Sequence, residues 1–127
     1  MALDHSFFNM NNRTYLITRS SYAGTGQFAS HSLGENDSTF ESMKKSITGI
    51  MLANMFGMPL SGAPICGYNG NTTALLCTRW HYVGAFQPLS WNQNSKDSAL
   101  QDPMAFEHIK VPGMTNQTYM DLMSDAI

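Results

Sequence analysis

Two kinds of side chain in the first third of the chain could transfer protons and bind polar groups. Glu35 and Asp37 lie in a segment, 23–37, that is rich in Gly, Ser and Asn and is typical of a long loop. A carboxyl group in a cleft can give up and take back a proton, and the planar guanidinium group of Arg19 can bind carboxylates and hydroxyl groups. From the residues alone, a solvated loop carboxylate is the preferred interpretation of Glu35. Arg19 fits either a surface residue that follows a strand or a residue of a binding pocket.

His31 and Glu35 are four residues apart, the spacing at which two metal ligands would share one face of a helix. The intervening Ser-Leu-Gly and the Gly-rich surroundings favour a loop instead. We therefore predict no metal site here.

The chain has two cysteines, Cys66 and Cys77. They fit either buried free thiols in a cytosolic protein or one short-loop disulfide in an oxidising compartment. A zinc site fits worst, because two cysteines with scattered histidines lack the usual ligand spacing. Four N-glycosylation sequons agree weakly with secretion and do not establish it. They begin at Asn12, Asn36, Asn71 and Asn116.

Composition narrows the class of protein. Charged residues make up 13% of the 127 residues and the net charge is −2, which argues against nucleic acid as a partner. Hydrophobic residues make up 43%, enough for a core. No apolar run approaches the roughly 18 residues of a membrane span, and the first residues lack the basic and apolar regions of a signal peptide.

The elements that must position these groups alternate between strand and helix. Residues 14–19 are β-branched and aromatic and predict a strand. Ser38 with Glu41 is a capping-box pattern, and Gly57 predicts the end of the helix that follows. Apolar residues recur at helical spacing along it, and this stripe is interpreted as core packing. The stripe consists of Phe40, Met43, Ile47, Ile50, Met51 and Met55.

The second half continues the alternation. Residues 58–63 predict a short buried strand and 72–86 a second helix, with Leu76, Trp80 and Val83 on one face. Beyond Pro88 the signals are weak. Alternating β and α units favour a parallel α/β architecture, of which this length holds only two or three units of a (β/α)8 barrel.

Several segments, in order and with matching gaps, resemble the catalytic barrel of glycoside hydrolase family 31, the α-glucosidase group. The first, Arg-Ser-Ser-Tyr-Ala-Gly, is similar to the R-S-T-F/Y-x-G of the acid/base region, with His31 and Gly-Glu-Asn downstream in place of G-H-W-x-G-D. The later ones resemble G-x-P-x-x-G-A-D-I-C-G-F, C-x-R-W-x-x-x-G-A-F-x-P and N-H-N. These segments lie at 19–24, 57–68, 77–88 and 92–94, and Gln101-Asp102-Pro103 closes the match.

The resemblance implies part of a TIM barrel over 15–103, flanked by an unmatched segment, 1–14, and an unmatched tail, 104–127. It also implies a disulfide between Cys66 and Cys77, as in lysosomal and intestinal α-glucosidases, and hence a secreted, lysosomal or other oxidising setting. No cofactor is implied.

The family mechanism implied here is hydrolysis with retention by two carboxylates about 5 Å apart. Glu35 falls at the acid/base position, where the family has Asp; Asp37 is a distant second. Arg19, His31 and Gln93 correspond to substrate-binding positions. The nucleophile motif W-x-D-M-N-E is absent from the sequence. Three further pocket positions are altered relative to the family: Ser32, Pro64 and Trp91.

We therefore expect a portion of an α-glucosidase-type hydrolase that acts on an α-glucan or oligosaccharide and needs the rest of the barrel to fold and to work. The alternative is a catalytically inactive relative that binds glucan or serves as a scaffold. A third possibility is a piece without a function of its own, whose unpaired strand edges would promote self-association.

Overall fold

The computed structural model describes residues 15–126, which form a parallel sheet with helices packed against it. Its four strands lie in chain order, so each pairs in parallel with its predecessor. A helix follows the second strand and another follows the third, which is how parallel neighbours are usually connected. The parallel α/β prediction is confirmed. The strands are β1 (Ile17–Thr18), β2 (Ser30–Ser32), β3 (Ser61–Ile65) and β4 (Leu89–Asn92).

The first two strands are short. The strand predicted over 14–19 is present as β1, and Thr14 lies outside the described residues. The long-loop prediction for 23–37 is wrong in part, because this segment contains β2 and a 3-10 turn, Thr25–Gln27. The Ser-His-Ser sequence of β2 has no apolar alternation, although both serines are buried.

Helix α1 spans Phe40–Met55, and its N-cap is Thr39, whose hydroxyl oxygen accepts a hydrogen bond from the Ser42 backbone N–H at 3.1 Å. The capping box predicted from Ser38 and Glu41 is therefore wrong. The Ser38 hydroxyl instead donates to the Gly70 carbonyl, in the loop that follows β3, at 3.2 Å. Two adjacent hydroxyl residues make the cap position ambiguous in sequence, and the loop contact decides between them.

The end of α1 is predicted correctly, since Gly57 follows it with φ of 79°. The core interpretation of its apolar stripe is largely wrong. Ile50 is buried, but Met51 and Met55 are 64% and 84% exposed. Phe40 and Ile47 are exposed as well, so most of this face has no covering element among residues 15–126. The spacing defines a face of the helix and does not supply its neighbour.

Helix α2 spans Ala74–Gly84, inside the predicted 72–86, and Thr73 caps it by accepting from a backbone N–H. The predicted inward face is confirmed: Leu76 and Trp80 are buried and Val83 packs against the same cluster. Both α1 and α2 pack on β3, the most buried strand of the sheet.

The last 25 or so described residues complete the core around α2. A 3-10 turn, Pro103–Phe106, and a short helix α3, Tyr119–Ser124, pack against each other, and α3 packs on α2. Their apolar side chains join those of β3 and α2 in one cluster, which therefore lies entirely in the second half of the chain. The buried members are Ile65, Cys66, Leu76, Cys77, Trp80, Phe106, Tyr119 and Met123.

Candidate functional site

The residues singled out for chemistry gather at one edge of the sheet. Arg19 follows β1 directly, Glu35 lies shortly after β2, Cys66 follows β3 and Gln93 follows β4. Because the strands are parallel, their carboxyl ends meet at the same edge. Binding sites of parallel α/β proteins are built from the loops at that edge.

Arg19 and Glu35 are in direct contact across this edge. The guanidinium Nη1 donates to Glu35 Oε1 at 3.3 Å, and the two side chains are 65% and 46% exposed. So exposed an ion pair stabilises a fold by about 1 kcal/mol at most. The contact matters more for the position of the two groups than for stability. It brings a carboxylate and a guanidinium group that are sixteen residues apart in sequence together at this edge.

Glu35 also borders a cavity of about 380 Å³ between the β2–α1 loop and the start of α1. Its charged lining residues are Glu35, Asp37 and Lys45. Lys45 donates to the Glu41 carboxylate at 2.8 Å; this hydrogen bond lowers the pKa of Glu41 and raises the pKa of Lys45. Both side chains are exposed, so the pair orients Lys45 more than it stabilises the helix.

Asn36, next to Glu35, fixes the position of this loop. Its Nδ2 donates to the Pro64 carbonyl at 3.0 Å and its Oδ1 accepts from the Tyr68 backbone N–H at 3.1 Å. Its own carbonyl accepts from the N–H groups of Tyr68 and Asn69 at 2.8 and 2.9 Å. The loop that carries Glu35 is thus tied to the end of β3. In the sequence, Asn36 is recognisable only as part of a sequon. Nothing in the local pattern indicates that it ties this loop to the end of β3.

The three altered pocket positions lie in or beside the strands. The Ser32 hydroxyl oxygen is buried and accepts from the Gly34 N–H at 3.2 Å, which shapes the turn before Glu35. Pro64 is fully within β3 and is in register with Trp91 of β4, which is half-buried. Ser32 and Pro64 are thus packed into the scaffold of the site, and Trp91 sits on the neighbouring strand.

His31 and Gln93 are less closely joined to the Arg19–Glu35 pair. His31 lies in β2 and its Nδ1 is buried without a hydrogen-bond partner in the described part of the chain. Gln93 is exposed directly after β4. No hydrogen bond within residues 15–126 links the side chain of either residue to Arg19 or Glu35, so the structure brings together two of the four predicted site residues.

The two cysteines form the disulfide that the resemblance implies. It lies fully buried between the end of β3 and α2, and Cys66 takes the left-handed φ of 67°. His81 packs beside it, with Nδ1 at 2.8 Å from the Cys77 carbonyl and within 3.7 Å of both sulfurs. Cys66, Cys77 and His81 are close enough to hold a metal ion, but the sulfurs are bonded to each other and so cannot serve as thiolate ligands.

Comparison with known proteins identifies the family. The profile of the glycosyl hydrolases family 31 TIM-barrel domain matches residues 3–126, almost the whole chain. The chain belongs to glycoside hydrolase family 31. The family match reaches beyond 15–103 on both sides, and the division of the chain at those two residues stays a prediction.

Relatives and solved structures agree with the family assignment. Probable maltase-glucoamylase 2 of Homo sapiens is 48% identical over 106 residues, covering 84% of this chain and 4% of that protein. Lysosomal acid alpha-glucosidase of Tetrahymena pyriformis is 45% identical over 107 residues, covering 84% of this chain and 12% of that protein. The crystal structure of the glucosidase II alpha subunit superimposes with a TM-score of 0.77 at 25% identity, over 90% of this chain and 11% of that one.

The family 31 assignment explains the strand order. A TIM barrel has eight parallel strands in sequential order, and the described residues contain four such strands with two intervening helices. The predicted part-barrel fold is confirmed. No helix between residues 15 and 126 is long and apolar enough to cross a membrane.

Proposed function

We propose that this chain contributes the acid/base segment of an α-glucosidase-type glycoside hydrolase, with Glu35 as the proton donor and acceptor. The contact between Arg19 and Glu35 at the carboxyl edge of the sheet carries this proposal. A retaining glycosidase protonates the departing oxygen with one carboxylic acid, which later activates water as a base. The position of Glu35 supports this role, because it follows β2 at the carboxyl edge of the sheet, the edge at which TIM-barrel enzymes bind their substrates.

The same mechanism limits what the chain does alone. Retention also needs a carboxylate nucleophile about 5 Å from the acid/base. The family's W-x-D-M-N-E motif does not occur in these 127 residues. We therefore expect the chain by itself to bind sugar weakly and to release no glucose, and the nucleophile to come from other barrel strands.

Glu35 is one methylene longer than the Asp of the family. A displacement near 1 Å costs on the order of a hundredfold in rate. The loop backbone has little freedom to compensate for the longer side chain. The two hydrogen bonds of the Asn36 amide, to the Pro64 carbonyl and from the Tyr68 N–H (the Asn36 clamp), hold it in place. Glu35→Asp should therefore increase activity in any context where the rest of the barrel is present.

A hybrid enzyme tests the proposed acid/base role of Glu35. In this hybrid, residues 15–103 replace the aligned segment of the Tetrahymena relative. Hydrolysis of maltose is compared with hydrolysis of an aryl α-glucoside, whose leaving group needs no protonation. Glu35→Gln should lower maltose hydrolysis by roughly 10²–10⁴-fold and aryl glucoside cleavage far less. Asp97→Asn, a matched exposed carboxylate, is the control. Equal activity of Glu35→Gln and the parent hybrid on maltose would exclude the proposed role.

The altered pocket favours a second candidate, an inactive relative that retains glucan binding. Pro64 and Gln93 replace a carboxylate and a histidine of the family, and Ser32 replaces a tryptophan. Sugar sites depend on convergent polar groups backed by aromatic surface. A hybrid that folds, binds maltose in titration calorimetry and hydrolyses neither substrate supports this candidate. Absence of heat at millimolar maltose counts against it.

A further inference from the structure

Three of the four sequons lie in the described residues, and their environments differ sharply. We propose that Asn71 and Asn116 are acceptors for N-linked oligosaccharide and that Asn36, despite its sequon, is not. The inference rests on side-chain geometry and is independent of the proposed hydrolase function. It assigns two modification sites, whose ligand is an oligosaccharide carried on a lipid diphosphate.

Asn71 is exposed in the loop that leads into α2. Its Oδ1 accepts from the Ala99 backbone N–H at 2.7 Å, which orients the amide. No hydrogen bond within residues 15–126 engages its Nδ2, the nitrogen that would carry the sugar. A glycan at Asn71 would therefore project into solvent without breaking an existing bond.

Asn116 lies in an exposed loop, directly before the residue whose carbonyl closes that loop. This loop is closed by a backbone hydrogen bond from Val111 N–H to the Gln117 carbonyl at 3.1 Å, and it contains Gly113 at φ of 85°. The Asn116 side chain makes no hydrogen bond with any described residue. Exposed loop tips tolerate bulky additions best, because few contacts are lost there.

Asn36 presents the opposite situation. Its Nδ2 donates to the Pro64 carbonyl at 3.0 Å and its Oδ1 accepts from the Tyr68 N–H at 3.1 Å. The residue is half-buried, and its loop closes against Gly67, whose added Cβ would come within 2.4 Å of Ser38 Cα. A glycan on Asn36 Nδ2 would have to occupy the space that the β3–α2 loop fills. The folded chain therefore excludes it.

The reaction forms an N–C bond in place of a C–O bond. The asparagine Nδ2 bonds to the anomeric carbon of the first sugar, the lipid diphosphate departs with the electron pair of the broken C–O bond, and the proton lost from Nδ2 passes to a base of the transferase. The transferase acts in an oxidising lumen, the setting in which a disulfide such as Cys66–Cys77 forms and persists. Disulfide and glycans would thus be acquired in the same compartment.

The test directs the full chain into the lumen of a eukaryotic cell behind a cleavable secretion signal. All variants carry Asn12→Gln, which removes the sequon outside the described residues. Asn71→Gln and Asn116→Gln should each lose one glycan. The loss is seen as one step in gel mobility, which glycosidase treatment abolishes, and as the disappearance of one isotope-tagged site in mass spectrometry. Ser38→Ala, which removes the third sequon and leaves the Asn36 amide in place, should lose none.

Two controls separate the effect of the fold on each sequon from the quality of that sequon as an acceptor in an unfolded chain. Short peptides that span each sequon are offered to the same transferase, so each site is compared with its own unfolded form. Dithiothreitol during synthesis prevents the Cys66–Cys77 bond and should increase glycosylation of Asn36, with Asn71 and Asn116 unchanged. The inference is overturned if Asn71 or Asn116 is bare although its peptide is accepted. A glycan on Asn36 in the disulfide-bonded chain overturns it equally.

Discussion

Helices α1 and α2 pack on the same strand, yet one is covered and the other is largely bare. On α2, Leu76 and Trp80 are 3% and 0% exposed. On α1, Met51 and Met55 are 64% and 84% exposed, although their spacing marks an inward face just as clearly. Both helices have Thr N-caps and both contact β3, so neither the cap nor the strand beneath explains the difference.

The covering element accounts for the difference. The 3-10 turn and α3 place Phe106, Tyr119 and Met123 over α2, and the disulfide ties the start of α2 to β3. Nothing between residues 15 and 126 does the same for the outer face of α1. In a TIM barrel, neighbouring βα units cover each other's helices. Among the described residues, α2 has such a cover and the outer face of α1 does not. Stability should therefore depend on the α2 side, and solubility on the α1 side.

The largest expected effect is at the centre of the covered side. Trp80→Ala removes a side chain that is 0% exposed and should lower the free energy of unfolding by about 3–5 kcal/mol, since both burial and packing are lost. Phe86→Ala, just beyond the end of α2, removes an aromatic ring that is 91% exposed and should change it by less than about 0.5 kcal/mol. Urea unfolding followed by far-ultraviolet circular dichroism measures both.

The difference in stability between the Trp80 and Phe86 variants tests whether the cluster around α2 forms in solution. Equal, small effects of Trp80→Ala and Phe86→Ala would mean that the α2 cluster does not form in solution. Helix α2 would then be no better covered than α1.

The disulfide should have the next largest effect. Replacing Cys66 and Cys77 together by Ala opens a short loop and should destabilise the chain by about 3 kcal/mol, because the unfolded chain regains conformational freedom. The experiment is urea unfolding of the double variant beside the parent chain, each with and without reductant. Reductant should weaken the parent to the same extent and leave the variant unchanged; a parent insensitive to reductant would contradict the prediction.

The cap of α3 should have a smaller effect, because it holds only the covering element. Thr118 and Asp121 form a capping box, with Asp121 Oδ2 accepting from the Thr118 N–H and hydroxyl, both at 2.8 Å. Thr118→Ala should cost about 1 kcal/mol, measured by urea unfolding at neutral pH.

The same capping box predicts a pH dependence. The hydrogen bond from the Thr118 backbone N–H, followed by that from its hydroxyl, lowers the pKa of Asp121. A carboxyl group with a lowered pKa in the fold contributes stability above its unfolded pKa, about 4, and loses that contribution as the pH falls through the folded value. Asp121→Asn should flatten this acid limb of the stability curve. An unchanged slope below pH 4 would show that the box is not formed.

The sequence predicts the strands and helices themselves better than it predicts the element that covers α2. Apolar spacing, Gly57 and the β-branched stretch at 14–19 are local signals, and the elements that depend on them are present. The tail after Pro103 shows only a weak pattern, although Tyr119 and Met123 are buried. Their burial is set by contact with α2, some forty residues earlier in the chain, which a local pattern does not contain.

Some features of the candidate site could be predicted from the sequence and others could not. The disulfide and the placement of Glu35 follow from a family resemblance, which carries the spatial information that isolated residues lack. The Arg19–Glu35 contact follows from that placement, because both residues leave parallel strands at one edge. The Asn36 clamp and the missed strand β4 do not follow, because each depends on backbone partners far along the sequence.

The smallest expected effect on stability, and the sharpest test of the bare side, comes from α1. Met51→Lys with Met55→Lys replaces two exposed apolar side chains and should change the free energy of unfolding by less than about 0.5 kcal/mol. It should nevertheless reduce self-association, because an exposed apolar patch promotes it. Sedimentation velocity over a range of concentrations measures this, with Lys44→Met as the reverse control. If both Met residues were covered in solution, the double variant would instead lose several kcal/mol, as buried lysines do, and α1 would be as finished as α2.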